Sequence, residues 1–106
     1  MAAEQPTVGT ARIVQEAGRY YVELDSAFQT SSQGPDLHVL LDKATQAPAS
    51  YGAQNQTVNL GRLQTYSGAQ RYAIPANVDV SQYHTVVIWC QMANATFGYA
   101  PLNSAV

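Results

Sequence analysis

A chain of 106 residues is long enough for one domain around a single hydrophobic core and too short for two. Charged residues make up only 11% of it, against roughly 25% in average soluble domains, and the formal net charge is -2. With five basic side chains and no basic stripe, the chain is poorly equipped to neutralise a run of phosphates, which argues against nucleic-acid binding.

The first six residues contain neither a basic start nor an apolar run, so they do not form a signal peptide or a lipobox. The alternatives are a cytosolic protein and a mature form whose targeting segment has been removed. The low charge and the many Thr, Ser, Gln and Asn residues favour the second, outside the cytoplasm. We therefore expect a disordered remnant at residues 1–6, one domain at residues 7–102 and a tail at residues 103–106. No apolar stretch approaches the roughly 20 residues that cross a bilayer.

Apolar and polar residues alternate with a period of two along most of the chain, which predicts β-strands. Residues 7–15 and 19–25 are two such runs, separated by a short turn containing Gly18. Because glycine readily adopts positive φ, this turn suits a hairpin. Residues 26–35 then form a polar loop, with Phe28 as its expected anchor in the core.

The middle of the chain alternates between strands and looser segments. Residues 37–41 are apolar enough for a central strand, whereas residues 45–56 are the weakest candidate for regular order. Short strands are predicted at residues 57–60 and 70–74, and Pro75 ends the second because proline lacks an amide donor.

The last third contains one helical turn and two strands. Residues 77–83 suit a single helical turn with Asp79 as its cap. A strand that includes Cys90 follows, and residues 95–100 supply a final one. Seven to nine short strands with turn signals between them predict an all-β domain, either an antiparallel β-sandwich or a partly closed barrel.

Cys90 is the only cysteine, so the chain cannot form an internal disulfide, a thioredoxin-type CxxC pair or a covalent c-type haem attachment. In an extended strand Cys90 shares a face with Ile88 and Met92, and Trp89 points to the opposite face. This apolar setting suits an inert thiol that packs in the core. The alternatives are a redox thiol and a ligand to a cofactor.

Copper is one such cofactor. His38, His84, Cys90 and Met92 match the two-His, one-Cys, weak-Met set of blue copper proteins. The spacing does not match, because a cupredoxin places a histidine between the cysteine and the methionine. Copper is therefore less favoured than haem, and a protein without any cofactor remains an alternative.

Non-covalent haem would use His38, Met92 or Cys90 as an axial ligand, with Trp89 shaping its surroundings. Asp36 and His38 share a strand face, and a carboxylate beside an imidazole can fix its tautomer for ligation or catalysis. A structural pair at the end of a strand is the alternative for these two residues.

Other chemistry finds little support. The chain shows no nucleophile elbow, no paired carboxylates and no glycine-rich phosphate loop, so we do not expect a stand-alone enzyme. Its seven tyrosines suit core and cross-strand packing. Clustered on an exposed face, they would instead indicate a cell-surface adhesion or ligand-binding module in which Cys90 is structural.

Several segments, taken in order, resemble the DM13 domain. They are GTARI at residues 9–13, GPDLHVLL at 34–41, QRYAIP at 70–75, and VVIWC at 86–90 followed by Phe97 and Gly98. The resemblance spans about residues 7 to 102. It implies an extracytoplasmic β-domain, as found in bacterial secreted proteins and lipoproteins.

The same resemblance implies a role in electron transfer centred on Cys90, either as a naked thiol or through a prosthetic group such as haem. We therefore predict a redox accessory module that works with a redox partner protein or another envelope component. The alternative is the adhesion module described above.

Overall fold

The computed structural model describes the backbone of residues 7–104 and the side chains of residues 7–102. The predicted N-terminal remnant at residues 1–6 lies outside these residues, as do the last two residues of the predicted tail. The other two tail residues continue the final strand.

Seven strands form one mixed sheet that nearly closes into a barrel. In chain order they are β1 (Ala11–Glu16), β2 (Arg19–Leu24), β3 (Leu37–Asp42), β4 (Thr57–Arg62), β5 (Gln70–Ala73), β6 (Thr85–Cys90) and β7 (Ala95–Ser104). Their order across the sheet is β4-β3-β6-β7-β1-β2-β5. The predicted all-β, partly closed barrel is confirmed. In the described part of the chain, no helix is both long and apolar enough to cross a membrane.

β7 makes the sheet mixed, whereas the sequence predicted purely antiparallel pairing. Its first part pairs antiparallel with β6, and Leu102 begins a parallel pairing with Ala11 of β1. The single ten-residue strand β7 thus belongs to two ladders. The turn from β6 makes β7 antiparallel to β6, and β1 runs in the same direction as β7.

The β1–β2 hairpin forms as predicted. Ala17 and Gly18 both adopt positive φ, 54° and 79°, in the two-residue turn. β1 begins later than expected because Gly9, with φ at 112°, interrupts the run. A Cβ at Gly9 would lie 2.7 Å from Cα of Phe28, so the chain needs glycine where it passes this loop. Phe28 is buried and anchors the loop, as predicted.

Several other predicted features are confirmed. β3 lies between β4 and β6, as a central strand should. A 3₁₀ turn at Val80–Gln82 is capped by Asp79, whose side chain accepts a hydrogen bond from the Ser81 amide. β5 ends at Ala73, just before Pro75.

One face of each of the central strands β3 and β6 points into the barrel. The residues on these two faces belong to the main hydrophobic cluster: Leu37, Val39, Leu41, Val86, Ile88 and Cys90. The intervening residues point out of the barrel, because successive side chains in a strand alternate.

Four of these outward residues are nevertheless buried: Leu40, Asp42, Thr85 and Val87. Residues 43–56, here called the covering segment, contain no helix or strand but pack over this outer face. Thr85 Oγ1 donates to the Ala44 carbonyl at 2.6 Å. The segment expected to have the least regular order is therefore held in place by hydrogen bonds to the sheet.

Candidate functional site

Cys90 is the last residue of β6 and has no exposed surface. It lies opposite Leu37 of β3 and Ala95 of β7. Its thiol is free and belongs to the main cluster, which consists of hydrophobic residues without a charged side chain among them. A thiol in such surroundings cannot react with solutes unless the strand end opens.

Met92 does not flank Cys90, which corrects the sequence-based placement. β6 ends at Cys90, and the next four residues form a turn in which Met92 is 73% exposed. The turn closes through the Asn94 amide, which donates to the Gln91 carbonyl, and Asn94 adopts a φ of 49°. The alternation of faces applies only to an extended strand, so it fails at the turn.

His38 lies on the outer face of β3, opposite Trp89 of β6. Its Nε2 is 3.1 Å from Asp36 Oδ1, and its Nδ1 is 3.2 Å from Asn59 Oδ1. The Gly61 amide also donates to that Asn59 oxygen, which identifies the oxygen as an acceptor. Both ring nitrogens of His38 are therefore within hydrogen-bonding distance of a side-chain oxygen, one of Asp36 and one of Asn59.

These positions test the proposed ligand set for haem or copper. Cys90 points into the barrel, His38 lies on the opposite face, and Met92 is on an exposed turn. Within residues 7–102, no three His, Cys, Asp or Glu side chains are grouped so that they could hold a metal ion. His84 is exposed and directly precedes β6, at the opposite end of the strand from Cys90. Cys90 and His38 therefore cannot bind one copper ion together, because the sheet lies between their side chains.

Trp89 is the centre of a different group of side chains on the outer face. Its indole Nε1 donates to Asn94 Oδ1 at 2.9 Å. Its ring centroid lies 6.3 Å from that of His38 and 6.1 Å from that of Tyr51, which it meets edge-on at 79°. A β-bulge in the β6–β7 ladder falls between Ile88 and Trp89, where such irregularities typically redirect a side chain.

Tyr51 comes from the covering segment and reaches a buried carboxylate. Its hydroxyl donates to Asp42 Oδ2 at 2.7 Å, and the Ala44 amide donates to Asp42 Oδ1 at 2.9 Å. Asp42 is 2% exposed. Burial raises the pKa of Tyr51 well above its ordinary value, and the adjacent Asp42 carboxylate raises it further.

Asn94 fastens Tyr51 beside Trp89. The Tyr51 amide donates to Asn94 Oδ1 at 2.9 Å, and Asn94 Nδ2 donates to the Tyr51 carbonyl at 2.8 Å. These side chains, which we call the outer cluster, are His38, Asp42, Tyr51, Trp89 and Asn94. The cluster thus contains two aromatic rings that can be oxidised, those of Trp89 and Tyr51, and the buried Asp42 carboxylate, which accepts a hydrogen bond from Tyr51. Asn94 holds the two rings in place through its hydrogen bonds.

No sequence pattern predicted that Tyr51, Asp42 and Asn94 would meet beside Trp89. Two signals existed. Asp42 follows an apolar strand, and a carboxylate there needs partners if it is buried. Tyr51 is the one large apolar residue in an otherwise polar segment. Neither signal identifies the other residue as its partner.

The tyrosines do not concentrate at the surface. Tyr66 and Tyr99 are exposed by 45% and 48%, and the other five are buried or half-buried. Most tyrosines therefore pack within the domain. Trp89 is half-buried as well.

An open groove of about 630 Å³ lies over β1, β2 and β5. Its lining includes Arg12, Glu23 and Arg71, and the Glu23 carboxylate forms an ion pair with each of the two arginines. Neither Cys90 nor any residue of the outer cluster lines it. A large groove alone does not make it the site of chemistry.

The fold and the site together define a small, nearly closed β-barrel domain with one enclosed thiol and a group of aromatic side chains on its outer face. The family model described as electron transfer DM13 matches residues 1–102, and the chain belongs to this family. Searches of curated proteins and of solved structures gave no match.

Proposed function

We propose that this domain transfers single electrons outside the cytoplasm, with Cys90 as a naked thiol redox centre and a redox partner protein as the acceptor. The carrying observation is the complete enclosure of Cys90 in the core, away from His38 and Met92. Without a second cysteine in the chain, an internal two-electron dithiol couple is unavailable. A one-electron thiol couple fits the electron-transfer family to which the chain belongs.

Trp89 supplies a route between the thiol and the surface. It is the sequence neighbour of Cys90 on β6, and adjacent Cα atoms lie about 3.8 Å apart. The two side chains point to opposite faces of the sheet. An electron from Cys90 therefore has to cross only the thickness of one strand to reach a half-buried ring.

Oxidation of Cys90 releases one electron and one proton. The Cys90 thiol loses one electron to an oxidised one-electron centre on the partner. Its proton passes to water when the end of β6 opens locally, since Cys90 is the terminal residue of that strand and strand ends open more readily than strand centres. The product is a protein thiyl radical, which the reverse transfer reduces.

Anaerobic titration with hexachloroiridate(IV), a one-electron oxidant strong enough to convert a thiol into a thiyl radical, tests this role. We expect the reduced protein to consume a single electron equivalent more than Cys90→Ala, because only the former contains a thiol. Circular dichroism confirms that the variant is folded. Non-reducing gels check that the electron does not come from disulfides between chains. Equal consumption by the two proteins would show that Cys90 is a structural residue.

The extracytoplasmic location is part of the same proposal. Its support is the low charge and high amide and hydroxyl content of the chain. Fractionation of native cells, followed by detection with an antibody, should find the protein outside the cytoplasm. Its recovery with cytoplasmic markers would contradict this part without affecting the redox role.

A further inference from the structure

We propose that Trp89, Tyr51 and Asp42 form a proton-coupled one-electron relay on the outer face of the sheet. This inference rests on the proposed electron-transfer function but not on the role of Cys90. It assigns to Trp89 the exchange of electrons with the partner, to Tyr51 the storage of the oxidising equivalent, and to Asp42 the acceptance of a proton.

Oxidation of a tyrosine near neutral pH requires a base that accepts the phenolic proton. Asp42 provides such a base for Tyr51. The hydroxyl already donates to Asp42 Oδ2 at 2.7 Å, so the proton moves along an existing hydrogen bond. Asp42 is 2% exposed, and its other oxygen accepts from the Ala44 amide. The acceptor is therefore fixed in place and shielded from competing water.

Trp89 lacks such an acceptor. Its indole N–H faces Asn94 Oδ1, an amide oxygen that is a poor base and is itself held by the Tyr51 backbone. An oxidised indole there keeps its positive charge.

The direction of transfer follows from this contrast. A high-potential one-electron oxidant on the partner, such as a ferryl haem that is reduced to the ferric state, takes one electron from Trp89 and leaves an indole radical cation. Tyr51, 6.1 Å away between centroids, returns one electron to the indole and passes its phenolic proton to Asp42. The result is neutral Trp89, a neutral tyrosyl radical and a protonated Asp42 carboxyl group. One electron from a reductant reverses the sequence.

Flash photolysis of the Cys90→Ala protein tests the relay separately from the thiol. A ruthenium polypyridyl sensitiser with a sacrificial acceptor oxidises the protein, and transient absorption follows the radicals. Trp89 is the only tryptophan, so its radical signal is unambiguous. We expect the tryptophan radical to decay as a tyrosyl radical appears, and freeze-quench EPR to identify the second species.

Further substitutions, made in the Cys90→Ala protein as the parent, then identify which residues form the relay. Tyr51→Phe should abolish the conversion and prolong the life of the tryptophan radical. Asp42→Asn should slow the conversion by about a hundredfold, the typical contribution of a positioned base. The matched control Tyr99→Phe removes an exposed tyrosine and should convert at the parent rate.

Two results would overturn the relay: conversion that persists in Tyr51→Phe, or an unchanged rate in Asp42→Asn. Circular dichroism establishes that each variant is folded, and Tyr51→Phe provides the test if Asp42→Asn does not fold. Because the parent lacks the thiol, failure of the relay leaves the hexachloroiridate titration result for Cys90 intact. A negative titration result for Cys90 likewise leaves the relay standing.

Discussion

The two faces of the β3–β6 pair differ sharply although they share one backbone. The inner face contributes Cys90 and apolar neighbours to the core, with no proton acceptor among their side chains. The outer face carries Trp89 and Asp42 beneath the covering segment, with hydrogen bonds that tie that segment to the sheet. Cys90 and Trp89 are neighbours in β6, so a single strand separates the enclosed thiol from the outer cluster.

The largest expected effect on this contrast is the loss of unfolding free energy when a buried leucine is truncated on each face. Leu41→Ala empties a fully buried position inside the barrel and should lower the free energy of unfolding by about 2–5 kcal/mol. Leu40→Ala is the matched change on the outer face, where the covering segment can settle into the space. We expect a smaller loss, measured by urea denaturation. An equal or larger loss at Leu40 would show that the outer face is as rigidly packed as the core.

A second test examines how apolar the surroundings of the thiol are. Cys90→Ser buries a hydroxyl group among hydrophobic residues and should cost about 1–3 kcal/mol of unfolding free energy if that hydroxyl finds no partner. Cys90→Ala is the control, since it removes the sulfur without adding a polar group. If Ser proves no less stable than Ala, then a hydrogen-bond partner lies within reach of position 90.

A third test uses pH to probe the outer face. The pKa of Tyr51 is raised in the folded state by burial and by Asp42. A raised folded pKa contributes stability that is fully present below the unfolded tyrosine value of about 10 and is lost as pH rises above it. Urea denaturation between neutral and strongly alkaline pH should show this loss in the parent and a shallower one in Tyr51→Phe. Identical slopes would mean that Tyr51 ionises as freely as an exposed tyrosine.

The smallest expected effect concerns polar contacts that the solvent reaches. Glu23 on β2 contacts Arg71 and Arg12, which lower its pKa, Arg71 having the larger effect. Its contribution is therefore present above the unfolded glutamate pKa and is lost as pH falls through the lower folded value. Arg71→Gln should lower the stability only slightly, and the loss should shrink in high salt. A large, salt-independent cost would contradict the distinction between these exposed pairs and the buried Tyr51–Asp42 pair.

Local patterns predicted much of the fold. The period of two identified the strands, Gly18 the hairpin, Asp79 the cap and Pro75 the end of β5, because each depends on the residue itself and its near neighbours. Alternation also predicted the opposite directions of Cys90 and Trp89, which the strand pairing confirms. The same rule failed at Met92 because it assumes that the strand continues.

Local patterns predicted only some of the residues of the candidate site. Cys90, His38 and Trp89 stood out by their chemistry, and the contact between His38 and Asp36 matches their expected shared face. Tyr51 and Asn94 did not stand out, because their hydrogen bonds join residues 43 positions apart. Such contacts depend on the path of the covering segment, which no local periodicity encodes.

By itself the sequence determined the strand content, the isolation of the single thiol and membership of an electron-transfer family, because these rest on residue types and short-range spacing. Only the tertiary structure decided which groups meet. It placed β7 parallel to β1, moved Met92 away from Cys90 and brought Tyr51 between Asp42 and Trp89. The physical reason is that turns and long-range hydrogen bonds, rather than the strand period, fix how distant segments of the chain are joined.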